Sequence, residues 1–163
     1  MVTMKVRWSI YVLVCCVLLC LTGCGSNKEA QRSVLRVGVV LYTQDDPFIN
    51  ALTDCLREDL EEYETDSLKI IMTVRDGKND QRLQDEVVEE ILDAGCDILV
   101  VDLVDRTEPS NIIKMAKNEN IPVIFFNREP VREDLMQWEK LYYIGCNAEQ
   151  SGIMQGEIVA DYI

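Results

Sequence analysis

The stretch "VLRVGVVLYTQDDPF", residues 34–48, decides the fold. Residues 34–41 are almost entirely apolar, as strands that are covered on both faces of a sheet require. The polar turn that follows reaches Pro47, and proline is favoured in the first turn of a helix because its missing N–H leaves no hydrogen bond unmade there. The stretch therefore predicts a buried strand that ends in a polar turn and leads into a helix.

The same succession of strand and helix recurs along the chain. Further apolar runs of strand length are "LKIIMTV", "DILVVDL", "IPVIFF" and "LYYIG". Segments with helical spacing alternate with them: from about Pro47 to Glu62, "QRLQDEVVEEILDAG", "PSNIIKMAKNEN", and from near Ala148. Asn79 or Asp80 is placed to cap the second helix, and Gly95 to end it.

This alternation predicts the fold class. Strands that alternate with helices through short loops form a parallel sheet, and its helices cover both faces. We therefore expect an α/β fold, a three-layer Rossmann-like parallel sheet.

The amino terminus predicts export. "MVTMKVR" carries Lys5 and Arg7 without an acidic residue, and "WSIYVLVCCVLLCL" is almost wholly apolar, which is typical of a signal peptide over residues 1–23. "LTGC", Leu21–Cys24, resembles the lipobox of bacterial lipoproteins and implies that Cys24 is lipidated. A transmembrane anchor is the alternative, but the run is at the short limit for a span. We expect residues 24–34 to form the lipidated cysteine and a flexible tether.

Composition excludes several function classes. The chain holds 29 acidic against 16 basic residues, a net charge of -13, and no histidine. Such a surface repels phosphate backbones and anionic head groups, so neither nucleic acid nor direct lipid binding is predicted. Acyl transfer through a histidine base and histidine-ligated zinc are excluded within this sequence.

Three cysteines follow Cys24. They are Cys55, Cys96 and Cys146, and an odd number with wide spacing is not a disulfide framework. Cys55 lies on the same helical stripe as Phe48, and Cys96 opens the run "CDILVV". Both are predicted to be small core residues. A single disulfide among the three stays open.

The strand ends predict where a ligand binds. In a parallel sheet, ligands lie in the crevice beyond the carboxyl ends of the strands. Those ends carry "YTQDDPF", "RDGKNDQ", "DLVDRTEP" and "FNREP", which supply acids, amides, an arginine and an aromatic ring. Gly38 has no second glycine at the spacing of a dinucleotide fingerprint, so no nucleotide cofactor is predicted.

A sugar fits this set of side chains. Carboxylates and amides hydrogen-bond neighbouring hydroxyls, while an aromatic ring covers the apolar face of a pyranose. Asp46 and Phe48 flank Pro47 at a turn from strand to helix, and both can project toward one crevice. Asn127 and Arg128 end the fourth strand and can meet the ligand from beside them.

Each of these residues also has a purely structural interpretation. Asp45 or Asp46 can cap the helix that begins at Pro47, and Phe48 can belong to the core because it starts the apolar stripe of that helix. Asn127 can simply end its strand. The "DLVD" segment can bind a divalent cation or cap the third helix, and an aspartate-based phosphatase is the enzymatic alternative.

From about Arg36 to Ile163 the sequence resembles the amino-terminal lobe of the galactose/glucose (methyl-galactoside) binding lipoproteins of sugar ABC transporters. These belong to the type 1 periplasmic binding proteins. The matching stretches are "RVGVVLYTQDDPF", "DGKNDQ", "ILVVDLVD", "IPVIFFNREP" and "YYIGCNAEQSGIMQGE". The family fold is two Rossmann-like lobes that close over one sugar.

The resemblance implies a role for each site residue. Asp46 would accept hydrogen bonds from sugar hydroxyls, Phe48 would stack on the ring, and Asn127 would bind another hydroxyl. It overturns the core interpretation of Phe48 and leaves capping to Asp45. Arg128 stands where the family has a basic residue. No metal site is expected among these residues, and the family's calcium site would lie beyond Ile163.

The resemblance also predicts the domain organisation and the function. Residues 35–145 would form the amino-terminal sugar-binding lobe, and residues 146–163 the hinge and first helix of a truncated second lobe, whose apolar residues from Ile153 to Ile163 would be exposed. The function implied is capture of galactose or glucose outside the cell by a lipid-anchored monomer and delivery to an ABC permease, without catalysis. The alternative is a sugar-sensing ectodomain that partners a chemoreceptor or sensor kinase.

Overall fold

The computed structural model describes residues 32–163, which form one compact unit. The predicted signal peptide over residues 1–23, the predicted lipidation site Cys24 and most of the predicted tether lie outside the described residues. The strands are β1 (Ser33–Leu41), β2 (Leu68–Asp76), β3 (Ile98–Val101), β4 (Val123–Phe126) and β5 (Leu141–Ile144). The helices are α1 (Pro47–Glu62), α2 (Gln81–Asp93), α3 (Ser110–Asn118), α4 (Arg132–Leu135) and α5 (Ala148–Tyr162).

The five strands form one parallel sheet in the order β2-β1-β3-β4-β5. β2 pairs with one edge of β1, and the chain then crosses over so that β3 pairs with the other edge. The carboxyl ends of β1 and β3 therefore flank the topological switch point, where ligands bind in open α/β sheets. The predicted α/β class and parallel sheet are confirmed.

Apolar cores on both faces of the sheet make the fold three-layered. On one face, Val40, Leu99 and Phe125 pack with residues of α2 and α3. On the other, Val39 and Val100 pack with Ile49 and further residues of α1. Because successive side chains of a strand point to opposite faces, apolar strands such as β1 and β3 can supply both cores at once.

Gly38 is needed where α2 approaches the sheet. A Cβ atom at this position would lie 2.3 Å from Cγ2 of Ile91. Gly38, which is not part of a nucleotide-binding motif, therefore allows α2 to pack closely against β1. Protein interiors are close-packed and leave no room for such an overlap.

The helix ends follow the predicted signals, with two corrections. Asp80 caps α2 by accepting from Leu83 N at 3.0 Å, and Gly95 follows α2 with a φ of 82°. Asp46, not Asp45, caps α1, so the capping role expected of Asp45 was wrong. The "DLVD" segment does not cap α3, which begins after Pro109 without a side-chain cap.

The cysteine predictions are half right. Cys96 is buried, as expected, whereas Cys55 is exposed, because α1 turns it away from the sheet. All three cysteines of the described residues are free thiols, so no disulfide forms among them.

The last helix, α5, buries none of its residues. Ile153, Met154, Ile158 and Val159 are each more than half exposed, which confirms the predicted exposed apolar helix. Within residues 32–163, no helix combines the length and apolar character needed to span a bilayer.

Candidate functional site

A cleft of about 790 Å³ opens beside the carboxyl ends of β4 and β5, on the face of the sheet that α1 covers. Its walls include Phe48 from α1, Phe126 from β4 and Tyr143 from β5. Asn127 and Arg128 line it as well. Three of the four predicted ligand residues therefore meet at one cleft, and the fourth, Asp46, lies two residues before Phe48 and accepts from its backbone N.

Asp46 is held from two sides at the end of β1. Its Oδ1 accepts from Phe48 N at 2.8 Å, which caps α1, and its Oδ2 accepts from the Tyr42 hydroxyl at 2.6 Å. The Tyr42 hydrogen bond, and after it that from Phe48 N, holds the pKa of Asp46 below its usual value. A carboxylate offers about four lone pairs, so Asp46 can cap the helix and still accept from a ligand.

Phe48 is 61% exposed although it begins the apolar stripe of α1. The next residue, Ile49, is fully buried and takes the core position against the sheet. The ring of Phe48 therefore faces the cleft, as the resemblance implied, and the core interpretation was wrong.

The β2 end fixes the turn that carries Asp46. Asp76 Oδ1 accepts from Gln44 N at 3.1 Å, and Gly77 N and Asn79 N donate to the carbonyls of Leu41 and Tyr42. The β1–α1 turn is thus tied to the neighbouring strand end rather than free to move as a loop, which preorganises Asp46 and Phe48.

Asn127 directly follows β4 and lies beside Asp102, which directly follows β3. Its Nδ2 donates to both carboxylate oxygens of Asp102, at 3.3 and 3.1 Å, and its backbone has a positive φ of 58°. Asp102 has no exposed surface. This burial raises its pKa to about 6, against the opposing effects of Asn127 and the Arg128 charge.

Arg128 joins three strand ends. Its Nη1 donates to the carbonyls of Leu103 and Val104 at 3.2 and 2.8 Å, and its guanidinium lies 3.7 Å from the centre of the Tyr42 ring. A guanidinium over an aromatic face is a favourable cation–π arrangement. Arg128 thereby supports Tyr42, and through Tyr42 it supports Asp46.

Sequence reasoning missed Tyr42 and Asp102 as site residues. Both directly follow an apolar strand, at the same edge of the sheet as the predicted ligand residues. This position after a strand was the sequence signal by which both residues could have been predicted as site residues. Their role was hidden because neither contact, Tyr42 to Asp46 nor Asp102 to Asn127, follows from spacing along the chain.

The acids of "DLVD" serve different partners. Asp102 bonds Asn127, whereas Asp105 accepts from the backbone N and hydroxyl of Thr107 at 2.8 and 2.6 Å. Within residues 32–163, no group of three or more Asp, Glu, Cys or His side chains could hold a metal ion. The described residues therefore offer no set of metal ligands for the divalent cation that was the alternative interpretation of "DLVD".

The sequence of this chain is similar to those of known binding proteins. The family described as periplasmic binding protein domain matches residues 37–163. The D-galactose/methyl-galactoside binding periplasmic protein MglB of Haemophilus influenzae is 34% identical over 136 residues, which cover 83% of this chain and 40% of that protein. The ribose import binding protein RbsB of Escherichia coli is 25% identical over 78% of this chain and 38% of its own length. The chain thus spans about 40% of these relatives.

Solved structures share the fold. An ABC transporter solute binding protein from Bacillus halodurans with bound myo-inositol superposes with a TM-score of 0.64 at 26% identity, covering 83% of this chain and 43% of that one. A solute binding protein from Clostridium phytofermentans with bound β-D-glucose gives 0.62 at 21% identity, over 78% of this chain and 36% of that one. The matched family is one of binding proteins and not of enzymes, as predicted. The chain belongs to the periplasmic binding protein family and has the fold of one lobe of its type 1 members.

Proposed function

We propose that the chain is the amino-terminal lobe of an extracytoplasmic substrate-binding protein that captures galactose or glucose for an ABC permease. The observation that carries this proposal is the exposed ring of Phe48 at a cleft that also presents the amide of Asn127, with the Asp46 carboxylate beside it. An apolar platform among fixed acceptors matches the faces and edge of a pyranose. Relatives named for galactose and ribose binding support a sugar as ligand.

Each residue has a distinct role in this proposal. Asp46 accepts from sugar hydroxyls as a charged acceptor, which makes the stronger kind of hydrogen bond. Phe48 stacks on one face of the ring, and Asn127 binds a further hydroxyl. Arg128, which also lines the cleft, extends the site by holding Tyr42.

Transport requires two lobes and a change of state. Residues 35–145 form the first lobe, and residues 146–163 begin the crossing into the second. A sugar that contacts both lobes favours the closed arrangement by its differential affinity, and the permease distinguishes the two arrangements. No bond is made or broken.

Anchoring completes the proposal. The lipobox-like "LTGC" ends at Cys24, and lipid on this cysteine holds the protein at the outer face of a membrane near its permease. The acidic lobe then needs no contact of its own with lipid.

Calorimetric titration of the full-length protein with galactose and glucose tests the site. Burying a phenylalanine ring contributes about 1.5–3 kcal/mol, so Phe48→Ala is expected to weaken binding by about tenfold or more. Asp46→Asn, which keeps a side-chain oxygen for capping α1, is expected to weaken binding by a similar factor, because it removes the charge of the acceptor.

Tyr63→Ala is the matched control. Tyr63 is an aromatic residue that is 72% exposed, but it follows the far end of α1 and does not line the cleft. Its removal is expected to leave the affinity unchanged. Unchanged affinity in Phe48→Ala and Asp46→Asn as well would show that the sugar binds elsewhere.

A further inference from the structure

We propose that Asp102 is a positioning residue that holds the side-chain amide of Asn127 with its oxygen toward the cleft. The inference rests on the proposed sugar-binding function and adds to it a residue that never touches the ligand. Asp102 has no exposed surface, so it acts without touching the ligand, and Asn127 is the cleft residue to which it is hydrogen-bonded.

The contact itself sets the direction of the amide. An ionised carboxylate only accepts hydrogen bonds, so the donating Nδ2 of Asn127 must face Asp102. The amide oxygen then points away from Asp102, and within residues 32–163 no protein group donates to it. Asn127 is thereby presented to a ligand as an acceptor for a hydroxyl.

The backbone leaves the amide orientation to this contact. Asn127 has a positive φ of 58°, its N donates to Ile144 O at 3.3 Å, and its own carbonyl accepts from the Tyr143 hydroxyl at 3.1 Å. These bonds fix where the side chain starts. Among the described residues, only Asp102 forms hydrogen bonds with the side-chain amide of Asn127, and it distinguishes the amide nitrogen from the amide oxygen.

Protonation of Asp102 would remove this distinction. A protonated carboxyl can donate as well as accept, so the Asn127 amide could turn its oxygen inward and its NH₂ toward the cleft. The pKa of Asp102, about 6, places this change in an accessible pH range. A ligand hydroxyl bound as a donor would then lose its acceptor.

Arg128 and Asp46 are the charged groups that act on the Asp102 carboxyl. From the loop after β4, Arg128 brings a positive charge that favours the ionised form of Asp102; from the loop after β1, the charge of Asp46 opposes it. The pKa of Asp46 is lowered and that of Tyr42 is raised, so neither changes charge between pH 5 and 7.5. From α2, Gln84 donates only to the backbone carbonyl of Asp102, and the sequence contains no histidine.

The test is the pH dependence of galactose and glucose affinity, measured by calorimetry on the full-length protein between pH 5 and 7.5. About nine-tenths of a carboxyl with a pKa of about 6 is protonated at pH 5, so affinity is expected to fall by up to about tenfold on acidification. Asp102→Asn, which has nearly the same shape but no charge, is expected to bind more weakly at pH 7.5 and to show no such pH dependence.

A double-mutant cycle separates positioning from general damage to the fold. In an Asn127→Ala background, Asp102→Asn is expected to have no further effect on affinity, because the group through which it acts is gone. Asp105→Asn is the matched control: its carboxylate lies in the same loop and bonds Thr107 instead, so affinity and pH profile stay as in the parent protein.

The outcomes are distinguishable. Absence of sugar binding by the parent protein at every pH contradicts the proposed function itself. Sugar binding whose pH profile is the same in the parent and in Asp102→Asn, or equal effects of Asp102→Asn with and without Asn127, overturns the positioning role while the sugar site stands.

Discussion

Replacing Asp102 by asparagine is expected to stabilise the folded protein at neutral pH. The buried carboxyl has a pKa of about 6 against a usual value of 3.8, so folding disfavours its ionised form. About two pKa units at 1.36 kcal/mol each correspond to up to about 3 kcal/mol. The asparagine side chain keeps the shape and an acceptor for Asn127 but carries no charge to desolvate.

The sign of the effect depends on pH. Below the unfolded pKa of about 3.8, Asp102 is protonated in both states and the variant gains nothing. As the pH rises, the unfolded chain releases its proton first, so the folded state binds more protons and the contribution of Asp102 to stability falls. Above pH 6 the contribution levels off, and there the advantage of Asp102→Asn is largest.

Urea unfolding followed by circular dichroism at pH 4, 5, 6 and 7.5 measures this difference in the free energy of unfolding. Asp105→Asn is the control of opposite sign, because hydrogen bonds from Thr107 lower the pKa of Asp105 and its ionised form is favoured by folding. A stability difference between the parent protein and Asp102→Asn that does not change with pH would refute the reasoning.

Three further predictions concern packing, capping and anchoring. Gly38→Ala is expected to destabilise the fold by about 1–3 kcal/mol in urea unfolding, because its Cβ would overlap Ile91, whereas Gly156→Ala on exposed α5, where nothing lies within 4 Å, is not. Asp80→Ala is expected to cost about 0.5–2 kcal/mol in the same assay by uncapping α2, with Asp80→Ser retaining most of the stability; equal losses in both would contradict a capping role. Cys24→Ser is expected to move the protein from the membrane to the soluble fraction on cell fractionation, and unchanged membrane association would contradict lipidation at this residue.

Much of the fold could be predicted because local and global signals agree. The apolar runs predicted the five strands, and Asp80 and Gly95 predicted the two ends of α2. The short helix α4 was missed, since four residues are too few to show helical periodicity. Cys55 was placed in the core because it shares a stripe with Phe48, yet the structure leaves both side chains exposed.

The site was predictable only in part. Strand-end chemistry and family resemblance predicted Asp46, Phe48, Asn127 and Arg128 as ligand residues, and the structure brings the last three to one cleft. Asp46 was treated as either cap or ligand, whereas its two oxygens allow both. The supporting contacts link residues on different strands, and the strand order that brings them together cannot be deduced from spacing.

The supporting contacts connect the residues at this edge of the sheet to one another. Arg128 spans from the carbonyls of Leu103 and Val104, beyond the end of β3, to the Tyr42 ring, and the Tyr42 hydroxyl donates to Asp46. The Asp102 carboxylate likewise accepts a hydrogen bond from the side-chain amide of Asn127. A binding site whose acceptors are fixed before the ligand arrives loses less conformational entropy on binding.

A crystal structure of the full-length protein grown with galactose tests the central claim most directly. The account predicts the sugar ring against the face of Phe48, with Asp46 and the Asn127 oxygen within hydrogen-bond distance of its hydroxyls. A sugar bound away from this cleft, with the ring of Phe48 still open to solvent, would contradict it.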